Sequence, residues 1–164
     1  MHHNRLCPCS SGNRYAACCE PIIEGAAAAS AEALMRSRYS AYVLGHWNYL
    51  HTSWHPDTRP SKVSPTSTDW LGLTIIHATE NTVEFIAGFR QNGNIMALHE
   101  TSRFAQVDGH WHYLDGDCDV CEAGRNTPCP CGSGLKTKRC CSNAAFVSTS
   151  RHADWQAAIA VKRD

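Results

Sequence analysis

The sequence lacks an excess of charge of either sign. Fifteen basic and fifteen acidic side chains balance in 164 residues, so bulk electrostatics do not mark a nucleic-acid binder. It lacks any apolar run approaching the ~18 residues of a membrane span. Residues 1–20 lack the apolar stretch of a secretory signal and hold four cysteines instead, which argues against a secreted disulfide scaffold. Two adjacent histidines, His2 and His3, are too few for a purification tag. The chain is therefore expected in the cytoplasm, where thiols stay reduced. What it does not lack is cysteine, with ten in all, nor apolar residues, at 43%. The apolar share argues for a folded core, and clustered reduced cysteines point to metal.

A repeat organises the chain. Cys7-Pro-Cys-Ser-Ser-Gly-Asn-Arg-Tyr-Ala-Ala-Cys-Cys19 returns as Cys129-Pro-Cys-Gly-Ser-Gly-Leu-Lys-Thr-Lys-Arg-Cys-Cys141, with all four cysteines kept. The copies are too far apart to stack as a solenoid, so they read as two modules around a middle domain. Zn²⁺ takes four tetrahedral sulfur or nitrogen ligands, and four thiolates close the site. Pro8 and Pro130 restrict the turn between the first two ligands. Ser10-Ser11-Gly12 and Gly132-Ser133-Gly134 supply flexible or positive-φ backbone. Each module is expected to hold one structural zinc ion, through Cys7, Cys9, Cys18 and Cys19 and through Cys129, Cys131, Cys140 and Cys141. A Zn²⁺ with four thiolates carries a formal −2. Lys136, Lys138, Arg139 and Arg125 offset it in the second module, and only Arg5 and Arg14 in the first. The second site is therefore expected to be the tighter.

Between the modules, Ser30 reads as the N-cap and Gly45 as the stop of one helix, with Ala31, Met35, Tyr39 and Tyr42 at helical spacing. A short helix over 46–52 follows, then a loop over 56–69. Strands are expected over 70–77, 83–90, 95–107 and 110–114, with Asn92-Gly93 and Asp108-Gly109 as hairpin turns. Helices first and an antiparallel meander after give an α+β fold. The middle segment has its own alternation and turns, so it is expected to fold without the modules. The boundaries read 1–22 for the first module, 26–118 for the middle domain, 125–142 for the second module and 143–164 for a tail with a short helix. Cys118 and Cys121 remain open: half a metal site, a redox pair, or two ordinary thiols in a linker.

At these residues the modules resemble SEC-C motifs, named for the zinc-binding C-terminus of the SecA translocation ATPase. The second copy is a close match. The first departs at Ser10, Asn13, Ala16 and Ala17, and both end on cysteine where SecA-type motifs often use histidine. The middle, through Leu34-Met-Arg-Ser-Arg-Tyr-Ser-Ala-Tyr42, Tyr49-Leu50, Thr52-Ser-Trp-His-Pro56, Trp70-Leu-Gly-Leu73, Ser102-Arg-Phe104, Trp111 and Tyr113, resembles the bacterial YchJ-like family. That resemblance implies a nuclear-transport-factor-two-like middle domain, a cone-shaped curved antiparallel sheet with packed helices. It carries no established activity with it.

In related cone folds the concave sheet face can be a ligand pocket; some relatives are enzymes, and many only dimerise or bind. The polar candidates here are Arg36, Arg38, His55, His99, Glu100 and Arg103, which read either as an anion site or acid–base pair or as a structural ion pair between helix and sheet. His99-Glu100 is not a zincin motif, because position 103 is Arg. Three functions follow. The first is a protein-binding adaptor whose Lys136, Lys138 and Arg139 meet a partner, linked by resemblance to SecA with protein export or the ribosome. The second is small-molecule binding or catalysis in the concave pocket. The third is weak, salt-sensitive RNA contact through the same basic residues.

Overall fold

A computed structural model describes residues 4–143; the tail helix expected within 143–164 lies almost wholly outside the described residues. A 3-10 turn, Tyr15–Ala17, and helix α1, Glu20–Ile23, close the first module. Helix α2, Ala31–Leu44, and helix α3, Trp47–Thr52, follow. Strands β1, Asp69–Ala78, β2, Thr82–Gln91, β3, Asn94–Val107, and β4, His110–Glu122, form one antiparallel meander in the order β1-β2-β3-β4. A second 3-10 turn, Thr137–Arg139, belongs to the C-terminal module.

Local chemistry explains the elements. The Ala33 amide donates to Ser30 Oγ at 3.1 Å, filling one orphan position of the first turn of α2. Gly45, at φ 78°, ends the helix in the left-handed conformation. Both hairpin turns have two successive positive φ values, at Asn92 and Gly93 and at Asp108 and Gly109, the twist that suits antiparallel strands.

The strand expected over 110–114 is longer than its sequence suggested. β4 stays paired with β3 as far as Glu122 opposite Met96. Asp115, Asp117 and Asp119 give its distal half a loop-like composition, yet they alternate with Gly116, Cys118 and Val120 in strict two-residue period. Arg103 bonds both Asp115 and Asp117 across the ladder. The alternation puts Cys118 and Cys121 on opposite faces, about 10 Å apart along the strand. That removes the half-site and redox-pair readings of these two thiols.

The core sits between α2 and one sheet face, where Leu73, Val83, Phe85, Ala87 and Phe104 meet Leu34, Met35 and Tyr39. Rings fill the space beside it: Trp70 lies 5.8 Å from Tyr39 and 5.7 Å from Phe89, and Tyr113 lies 5.0 Å from Trp54 and 5.8 Å from Phe104. The same cluster contains Cys7, Cys9, Tyr15 and Cys19. The N-terminal module thus forms part of the main core. This explains why α2 buries even Ser37 and Ser40, since a helix covered on more than one side loses its polar stripe. The C-terminal module lies on the opposite face, where Cys129, Cys140 and Cys141 pack with Leu71 and Ile95 in a smaller cluster.

Candidate metal centres

The two modules repeat each other bond for bond. Cys7 N donates to Asn13 O at 2.7 Å, and Cys129 N to Leu135 O at 2.8 Å. A bridge joins Leu6 to Arg14 in one and Pro128 to Lys136 in the other. The glycines at 12 and 134, at φ 84° and 82°, carry both chains through a left-handed turn. At the preceding left-handed position the second module has Gly132, at φ 84°, and the first has Ser10, at φ 63°. Each 3-10 turn then brings a Cys-Cys pair back to the first two thiols.

In each module the four sulfurs lie within 4.8 Å of one another. Individual separations are 3.6 Å for Cys9–Cys18, 3.8 Å for Cys18–Cys19, 3.5 Å for Cys131–Cys140 and 3.9 Å for Cys140–Cys141. All are far beyond the ~2.05 Å of a disulfide. A tetrahedron with metal–sulfur bonds of about 2.3 Å has edges of about 3.8 Å, so the spacing fits one thiophilic ion at each centre. The four thiols of each cluster compete for the same protons. Hydrogen bonds from Cys19 and Cys7 hold Cys9 far below the usual thiol range, and those from Cys131 and Cys141 bring Cys129 to about 3. Hydrogen bonding to Cys18 and Cys129 pushes Cys19 and Cys141, respectively, well up. A metal ion that displaced those protons would relieve the competition.

Three supporting groups were expected in other roles, Ser11 and Ser133 as turn residues and Arg36 as a pocket candidate. Ser11 Oγ lies 3.3 Å from Cys18 Sγ, and Ser133 Oγ lies 3.1 Å from Cys140 Sγ. Each serine accepts an amide hydrogen bond from two residues on, Asn13 N and Leu135 N, which leaves its hydroxyl proton for the sulfur. The signal was present, because this serine is one of the few non-cysteine positions common to both repeats. The third group is Arg36, whose Nη1 donates to Cys9 O at 2.9 Å. It adds to the first centre a cation from α2, outside the module.

The remaining candidates do not converge on one pocket. Arg36 also pairs with Glu32 on its own helix. Arg38 is buried, donates to Leu50 O and Ser53 Oγ, and lies over the Tyr113 and Trp54 rings at 4.6 and 5.3 Å. Glu100 accepts from Ser102 Oγ and Tyr113 Oη, so Arg38, Tyr113 and Glu100 do meet on the α2 side. His99 faces the other way and pairs with Glu84 at 2.8 Å, as does Arg103 with its two aspartates. His55 Nδ1 accepts from Asp57 N. A groove of about 570 Å³ opens elsewhere, between the linker after α1 and the β3–β4 turn; Tyr49, Trp111 and His112 line it, and none of the six candidates does. Lys136, Lys138 and Arg139 are exposed, and none pairs with a described carboxylate. No described helix is long and apolar enough to cross a membrane.

Comparison with known proteins agrees with this anatomy. The family model described as "YchJ, middle NTF2-like domain" matches residues 30–116. The SEC-C motif matches twice, at residues 4–21 and 125–143. A UPF0225 protein of Serratia proteamaculans is 46% identical over 151 residues, covering 83% of this chain and 97% of the relative. One from Photorhabdus laumondii is 46% identical over 155 residues, with 83% and 98% covered. One from Geobacter sulfurreducens is 41% identical over 156 residues, with 83% and 97% covered. No solved structure matches the chain.

Proposed function

The chain belongs to the YchJ family, and from that premise we propose that it is a zinc-dependent adaptor that binds a protein partner through its C-terminal SEC-C module. The observation that carries this reading is the asymmetry between two otherwise matching modules. In the first, the positions after the left-handed turn are Tyr15, Ala16 and Ala17, and the module is committed to the core. In the second they are Thr137, Lys138 and Arg139, where Thr137 is buried and the two cations are exposed beside Lys136 and the 42% exposed Leu135. A rigid knob with three cations and one exposed leucine suits an acidic protein surface carrying an apolar contact.

Zinc is the proposed ion because four soft thiolates in a closed tetrahedron favour it over hard cations. Such a site leaves no coordination position for substrate, so its role is structural. A partner in protein export or at the ribosome is the extension suggested by the SEC-C likeness to SecA, in the cytoplasm where these thiols stay reduced. Affinity capture from cell extract, with and without a zinc chelator, tests the reading. Replacing Lys136, Lys138 and Arg139 together with Ser should keep zinc content and weaken capture, with a shallower salt dependence. Unchanged capture at low salt would remove the basic knob as the recognition surface.

A further inference from the structure

Both centres converge on one edge strand. On the α2 side, Ser10 Oγ accepts a hydrogen bond from Leu73 N at 3.3 Å, and Leu73 shares the core with Cys7, Cys9 and Cys19. On the opposite face the C-terminal loop lies directly on β1. A Cβ built on Gly72 would stand 2.1 Å from Cys131 O, and one on Gly88, its partner on β2, 2.9 Å from the Pro130 carbonyl. A Cβ on Gly132 would in turn stand 2.9 Å from Thr74 Oγ1. Gly72, Leu73 and Thr74 are therefore held from both faces by atoms of, or next to, the metal-ligand loops. Tyr39 lies beside this segment, its buried ring 5.8 Å from Trp70.

We propose that the two thiolate centres form one coupled metal-binding unit, in which an ion in either module raises the affinity of the other by fixing Gly72, Leu73 and Thr74 between them. The proposal rests on the metal reading given above. A module of this size takes its loop geometry from the ion. When the C-terminal loop relaxes, the Cys131 carbonyl leaves Gly72, and this stretch of β1 loses the support on one face. Ser10, anchored to the next residue, then loses the fixed position that holds its loop near Cys7 and Cys9. Linkage makes the effect reciprocal for binding, and couplings of this kind are typically about 5- to 150-fold.

The test measures zinc affinity at each centre of the full chain against a competing chromophoric chelator. The double substitution Cys129→Ser and Cys141→Ser should leave one zinc per chain, bound at the N-terminal centre between about 5 and 150-fold more weakly than in the intact chain. Gly72→Ala keeps all eight thiols but drives its Cβ into the Cys131 carbonyl. It should keep two ions and weaken both. Ile76→Ala, at an exposed bulge residue of the same strand, should leave both affinities unchanged. N-terminal affinity equal to that of the intact chain in the double-cysteine and Gly72→Ala variants would overturn the coupling while the two-zinc reading stands. An intact chain that binds no zinc would overturn both.

Discussion

At the scale of single residues, each cysteine cluster is contacted by groups outside it. Ser11 and Ser133 occupy matching positions, each with its oxygen accepting an amide and its hydroxyl against a thiolate. Partners of this sort, bonded to the ligands and not to the metal, typically affect affinity by about 10- to 100-fold when removed. Ser133→Ala is therefore expected to weaken zinc at the C-terminal centre by at least about tenfold while the fold persists, as read by chelator competition and circular dichroism. Full affinity in this variant would mean that the hydroxyl proton is directed elsewhere. Arg36 shows the limit of counting charges near each motif. Sequence proximity credits the first module with Arg5 and Arg14, yet Arg36 reaches Cys9 O from α2. The expected advantage of the second site in charge compensation is reduced accordingly.

At the scale of elements, much was legible because it is local. Ser30 and Gly45 bound α2, and Asn92-Gly93 and Asp108-Gly109 set the two hairpins, each through its own backbone preference. The distal half of β4 was not legible. Asp115, Asp117 and Asp119 are depleted in strands, and only their pairing partners, notably Arg103, hold them there. Nor does any local signal show that Gly72 and Gly88 lie under Pro130 and Cys131; that contact joins segments far apart in the chain. The position of the first module changes one expectation. Local alternation suggests that the middle segment folds alone, whereas Cys7, Cys9, Tyr15 and Cys19 complete its core. Full burial of one large side chain contributes about 1.5–3 kcal/mol, so losing this group removes several kcal/mol from a stability of about 5–15 kcal/mol. A chain lacking residues 1–22 should lose its cooperative thermal transition or melt far lower, while one ending at residue 124 should keep a transition, since only the smaller cluster around Leu71 and Ile95 is disturbed. Equal melting temperatures for the two truncations would contradict this division of labour.

At the scale of the whole molecule, the α+β fold places a shared strand between two matching centres. The two four-cysteine clusters were legible from the repeat alone, because C-x-C-x8-C-C carries its geometry within thirteen residues. Their unequal roles were not, because they depend on which sheet face each module meets. The N-terminal centre is enclosed, with Cys7, Cys9 and Cys19 at 2%, 0% and 1% exposure. The C-terminal centre lies on the outer face and turns its cations and Leu135 to solvent. One module thus completes the core while the other turns a basic surface to solvent.

The most direct measurement of the two-zinc reading is metal content. Native mass spectrometry of the intact chain, purified without chelators under reducing conditions, should show two zinc ions per chain, falling to one when Cys140 and Cys141 are replaced with Ser. A folded chain of metal-free mass with all ten thiols titratable would contradict it.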